Sequence, residues 1–135
     1  MQKSTGRIIG EGYNRREADR SPLAHAEIMA IDAASRTLGG WRLLDSALYV
    51  TLEPCPMCAG AILHARLEQV VYGTADPKGG AVDSVEQLFT LPTTGHRRYM
   101  PVYCRRNVPR SCGIFRELRL KKQAEKIARN GISML

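Results

Sequence analysis

Ala47-Leu48-Tyr49-Val50-Thr51-Leu52-Glu53-Pro54-Cys55-Pro56-Met57-Cys58 holds a strand, a stop and a helix start in succession. Ala47–Leu52 is apolar and rich in strand formers, which predicts a buried strand. Pro54 punctuates it, because proline has no amide to give to a ladder. Pro56 suits the first turn of a helix, where an amide has no partner anyway. That helix is expected from Pro56 to about Ala65. Outward from this stretch the alternation repeats. Arg7–Tyr13 predicts a short strand, broken at Asn14 into a charged loop ending at Arg20. Ser21-Pro22 predicts an N-cap and first turn, with a helix to about Leu38 stopped by Gly39-Gly40. Val70–Gly73 predicts a strand, Thr74–Gly80 a polar loop and Val85–Leu91 a short helix. Arg98–Tyr103 predicts a last strand and Ser111–Arg129 a last helix. Strands alternating with helices predict an α/β layered domain whose sheet is at least partly parallel. The 135 residues are expected to form a single domain over 1–135, with 110–135 as a basic C-terminal helical segment.

Composition narrows the classes. Hydrophobic residues make up 44% and charged residues 24%, which excludes wholesale disorder. No apolar run approaches the roughly 20 residues of a membrane span. Met1–Gly6 has no apolar core of a signal peptide, so no membrane and a cytoplasmic location are expected. Four cysteines in such a chain are not read as a disulfide framework. The net charge of +7 is uneven: residues 96–135 carry eleven basic and two acidic residues. Such asymmetry fits an anionic partner such as nucleic acid, and it fits a solvated tail helix as well.

Two motifs carry chemistry. Cys55 and Cys58, at i and i+3 near a helix start, project to the same side, and the positive helix end favours thiolates. Two thiolates and one imidazole, His25, give three ligands to Zn2+ and leave a fourth position for water. Zinc lowers the pKa of such a water towards neutrality. Glu27 is then available as proton carrier. Two residues apart on a helix point about 200° apart, which sets Glu27 beside the metal rather than on it. A lone C-x-x-C also fits a redox dithiol, or a structural zinc closed by Cys104 or Cys112. The combination H-x-E followed by P-C-x-x-C is far more specific: it is the signature of zinc nucleobase deaminases.

The resemblance extends beyond the signature. Ser21-Pro22-Leu23-Ala24-His25-Ala26-Glu27-Ile28-Met29-Ala30 resembles the bacterial tRNA-specific adenosine deaminase family. So do Leu48–Ala61 and Val71-Tyr72-Gly73-Thr74-Ala75-Asp76-Pro77-Lys78-Gly79-Gly80-Ala81, nearly without gaps from Gly6 to Ala81. His96-Arg97 and Cys112–Lys122 resemble the family's C-terminal part more weakly. The resemblance implies a cytidine deaminase-like three-layer α/β/α fold with a mixed central sheet. It implies zinc on His25, Cys55 and Cys58, and Glu27 as the proton shuttle between a zinc-bound hydroxide, the base and the leaving amine. It implies that Asn14 contacts a flipped nucleotide, and that Asp76 and Lys78 contact the RNA beside it. The implied reaction turns the wobble adenosine of a tRNA anticodon loop into inosine, in a homodimer. Read without the family, Asn14 ends a strand, Asp76–Gly80 is a solvated turn and Glu53 is a surface residue.

The chain departs from the family at both ends. The family begins with a helix and a strand before the strand at Arg7–Tyr13, whereas here six residues precede it and resemble a hairpin turn. A strand without its hairpin partner is expected to leave an open edge. Near the C-terminus, Ile114, Phe115 and Leu118 lie opposite Leu120, Ala124 and Ile127, which predicts a break near residue 119. Beyond it Arg119, Lys122, Lys126 and Arg129 form a basic stripe suited to phosphate contact or to a solvated face. Two further readings stand: a deaminase of another base, nucleoside or single-stranded nucleic acid, and a catalytically inactive, zinc-stabilised RNA-binding subunit.

Overall fold

A computed structural model describes residues 1–91 and the backbone of 100–103. In chain order the elements are α1 (Arg16–Asp19), α2 (Ala26–Leu38), β1 (Ala47–Leu52), α3 (Pro56–His64), β2 (Gln69–Thr74), a 3-10 turn at Leu88–Thr90, and β3 (Met100–Tyr103). The strands form one sheet in the order β1-β2-β3, each neighbour parallel. Parallel neighbours need a crossover, and α3 supplies it between β1 and β2. β2 is central, and its Val70, Val71 and Tyr72 are all buried, as a continuous apolar run in a parallel sheet requires. Leu48 and Val70 are level in the register and so face the same side. There Ala34 of α2 and Ile62 of α3 complete a core with Ile9, Leu43, Ala65 and Leu67. One helical layer on a parallel sheet is thus in place, set by the apolar faces of α2 and α3. No helix among the described residues is long and apolar enough to cross a membrane.

The helix at Pro56 and the strands at 47–52 and 69–74 lie where the sequence predicts them. Three expectations need correction. Arg7–Tyr13 is not a strand. Its backbone is laid along α2 instead. A Cβ at Gly10 would come within 2.6 Å of the Ala30 carbonyl, and one at Gly12 within 2.6 Å of the Ala30 amide nitrogen. These two glycines permit the approach, and no sheet ladder uses the segment. The hairpin-like turn at the start is present: Gln2 donates to the Arg7 carbonyl and Gly6 to the Gln2 carbonyl. Residues 1–3 then run antiparallel beside the start of β1, through the Gln2–Ser46 bridge and the Ala47 amide to the Met1 carbonyl. This isolated bridge is the only antiparallel pairing among the described residues, and it lies beside the three-stranded sheet, whose own neighbours are all parallel.

The second correction concerns α2. Ser21 does not cap it. The Ser21 hydroxyl accepts from the Leu23 amide, closing a local turn, and the helix begins at Ala26 with His25 as its N-cap. The charged loop before it holds the one-turn α1, where the N-cap Arg15 pairs with Asp19. α2 ends as expected at Gly39, in the left-handed region at φ 67°. The third correction is at Val85–Leu91, where only the 3-10 turn forms. The amides of Val85 and Glu86 both go back to the Gly80 carbonyl, so they close a turn and do not open a helix. The expected helix at Ser111–Arg129, its break near 119, and the basic segment 110–135 lie outside the described residues.

Candidate metal centre

Each ligand position is made by the end of an element. β1 stops before Pro54, and Cys55 is the N-cap of α3, in extended backbone at φ −72°, ψ 170°. Cys58 follows in the first turn and is wholly buried. His25 is the N-cap of α2, also extended, at φ −75°, ψ 150°. Two helix N-termini therefore converge on one point, with their free amides and positive ends.

The side chains meet there. His25 Nδ1 lies 3.7 Å from Cys55 Sγ and 3.5 Å from Cys58 Sγ. All three donor atoms fall within 4.8 Å of one another. Tetrahedral zinc with Zn–N near 2.0–2.1 Å and Zn–S near 2.3 Å separates its nitrogen and sulfur ligands by about 3.6 Å. The donor set and spacing fit zinc. They do not ask for a redox pair, in which an imidazole at ligand distance from both sulfurs has no part. Burial pushes the Cys58 thiol well above the usual thiol range, and the neighbouring Glu27 carboxylate and Cys55 push it further. A bound divalent cation reverses that balance and takes the thiolate. Cys104 and Cys112, the expected closing ligands of a structural site, lie outside the described residues.

Glu27 is the second residue of α2, half-buried, and close enough to Cys58 to act on its thiol. It stands beside the three-ligand cluster without belonging to it. His25 precedes α2 as its N-cap, so helical phase does not set its direction relative to Glu27.

Asn14, Asp76 and Lys78 sit on segments tied to the ligand-bearing ones. The Arg15 amide donates to the Ala24 carbonyl, which joins Asn14's segment to His25's. Asn14 itself is exposed, and its side-chain oxygen accepts from the Arg16 amide, a local turn bond. Asp76 Oδ1 accepts from the Lys78 amide in the same way, and Lys78 is exposed. Arg119, Lys122 and Lys126 lie outside the described residues.

Glu53 is where the sequence reading fails. Expected at the surface, it is 2% exposed. One carboxylate oxygen accepts from the amides of Val82, Asp83 and Ser84, at 3.1, 2.7 and 2.9 Å. The other accepts from the Asp76 amide at 2.9 Å and from the Ser84 hydroxyl. Burial alone would raise this carboxyl, but the donors from Asp83, Ser84 and Asp76 outweigh it and hold it at about 2. A glutamate next to a proline, ending an apolar strand, gives little notice of this; its donors lie over twenty residues away.

Comparison with known proteins agrees with the site. Residues 1–74 match the family model of the cytidine and deoxycytidylate deaminase zinc-binding region. The tRNA-specific adenosine deaminase of Bacillus subtilis (strain 168) is 44% identical over 124 residues, 88% of this chain and 75% of that protein. The tRNA-specific adenosine deaminase of Streptococcus pyogenes serotype M1 is 50% identical over 92 residues, 68% of this chain. The chain spans 54% of that relative's length. A solved structure from work on A-to-I editing by tRNA:A34 deaminases at the wobble position of transfer RNA superposes with a TM-score of 0.69. It is 45% identical and covers 73% of this chain and 75% of its own. The guanine deaminase of Bacillus subtilis superposes with a TM-score of 0.53 at 34% identity, over 84% of this chain and 73% of its own.

Proposed function

This chain belongs to the cytidine and deoxycytidylate deaminase family, and within it we propose that it hydrolytically deaminates adenosine to inosine at the wobble position of a tRNA anticodon loop. The observation that carries this reading is the His25, Cys55 and Cys58 cluster with Glu27 beside it, in a chain 44% identical to a tRNA-specific adenosine deaminase. His25, Cys55 and Cys58 would hold the zinc, which when bound supplies Lewis-acid activation of water. Glu27 takes one proton from the attacking water and gives it to the ring nitrogen, then takes the proton of the hydroxyl added to the base and gives it to the leaving amine. The balance is adenosine plus water to inosine plus ammonia. The base reaches such a site only when flipped out of its stack, and a loop nucleotide flips at low cost.

Asn14, Asp76 and Lys78 are the proposed substrate contacts, on segments anchored beside the ligands. Arg119, Lys122 and Lys126 are the proposed phosphate contacts. A cytoplasmic homodimer follows from the same family likeness. The similarity to a guanine deaminase at 34% identity supports a second reading, deamination of another purine. Incubating zinc-loaded protein with an anticodon stem-loop bearing a wobble adenosine, then sequencing for inosine, tests the first reading. Inosine is expected with the unaltered chain. With Glu27→Ala, zinc and fold are expected to remain while turnover falls about 100- to 10,000-fold. Full activity in that variant would remove Glu27 from the mechanism, and turnover of free guanine alone would favour the second reading.

A further inference from the structure

Loop 76–84 is fastened to the metal-ligand segment by more than chain proximity. The Ala81 amide donates to the Pro54 carbonyl at 2.8 Å, and the Glu53 amide to the Thr74 carbonyl at 2.9 Å. Ala81 and Val82 are buried. The buried Tyr72 hydroxyl donates to Asp83, which pins the far end of the loop to β2. Between these anchors sits the Glu53 carboxylate with its five donors. Gly80 passes so close that a Cβ there would run into that carboxyl group. A carboxylate is an acceptor only, with two oxygens to fill, so one side chain can gather amides from both ends of a loop. Loop amides with no other partner then depend on it.

We propose that Glu53 is a positioning residue for substrate recognition: it braces loop 76–84 against the Pro54-Cys55 segment and so fixes Asp76 and Lys78 beside the metal centre. The inference rests on the proposed function, which makes those two residues RNA contacts. Its geometric half stands apart from that reading. Glu53 touches neither base nor metal, and its effect reaches the substrate through the loop.

Glu53→Gln separates the roles. The amide oxygen can keep the Val82, Asp83 and Ser84 donors, which outnumber those on the other side. The new NH2 then faces the Asp76 amide, donor against donor, while the Ser84 hydroxyl can turn to accept. The damage falls on the Asp76 end. In the zinc-loaded chain this variant is expected to keep its zinc and to speed hydrogen exchange at the Asp76 amide. Stem-loop Kd and KM are expected to rise about tenfold, with kcat much less affected. Ser84→Ala, which removes one donor and leaves the carboxylate, is expected to move Kd in the same direction by less. Unchanged Kd and KM with faster exchange at Asp76 would overturn the recognition role. Unchanged exchange would overturn the bracing itself. Zinc loss in step with kcat would make Glu53 a support of the metal site instead. If the unaltered chain makes no inosine, the reaction reading fails while Kd and exchange still judge this one. A chain that binds no stem-loop overturns the reaction reading and the recognition role together, while exchange at the Asp76 amide still judges the bracing.

Discussion

Cys58 has no solvent around its sulfur, and Glu27 and Cys55 press on the same thiol. Such a group stays protonated unless a cation replaces the proton. Metal binding and local folding are therefore coupled. Cys58→Ser is expected to lower zinc content well below about one ion per chain and to lower the melting temperature in the same preparation. Metal analysis beside a thermal melt checks both. A variant that kept its zinc would displace Cys58 from the ligand set. At this scale the three residues of the candidate zinc site were legible before any fold was known, because histidine and cysteine are rare residue types and stand here in the short H-x-E and C-x-x-C patterns. Glu53 was not legible. Its function lies in amides contributed by residues 76 and 82–84, and amides carry no residue-type signal.

α3 links the site to the core. Its N-terminal turn carries the thiols, while Ile62, two turns on, is fully buried against Leu48 and Val70. Ile62→Ala is expected to cost about 2–5 kcal/mol in urea unfolding, the usual range for a large core truncation. A cost under about 1 kcal/mol would mean that the core closes over the gap. Its proline start and its position between strands agreed, so α3 was readable from sequence. Arg7–Tyr13 was not. Its composition suits a strand, but a strand exists only where a ladder partner does, and here the backbone lies on α2 through Gly10 and Gly12. α2 likewise starts late, because Ser21 satisfies the Leu23 amide within its own turn.

Across the whole molecule the charge is divided: +9 over residues 96–135 and −2 over residues 1–95, summing to +7. Phosphate contact by the basic stripe would make RNA binding fall steeply with salt. Charge reversal at Lys122 and at Lys126 is each expected to weaken stem-loop binding and to lower the slope of log K against log salt by about one. Titrations at several salt concentrations check this, and an unchanged slope would return the stripe to a solvated face.

The sequence by itself determined the α/β alternation, the crossover helix that starts at Pro56, and the three residues of the candidate zinc site. Each is written in local periodicity or in short spacing, which needs no distant partner. Only the tertiary structure decided that His25 caps α2 from outside it, that Arg7–Tyr13 pairs with no strand, and that Glu53 is buried at the centre of loop 76–84. These depend on which backbone groups are brought together from far apart in the chain, and hydrogen-bond partners at that range are chosen by packing.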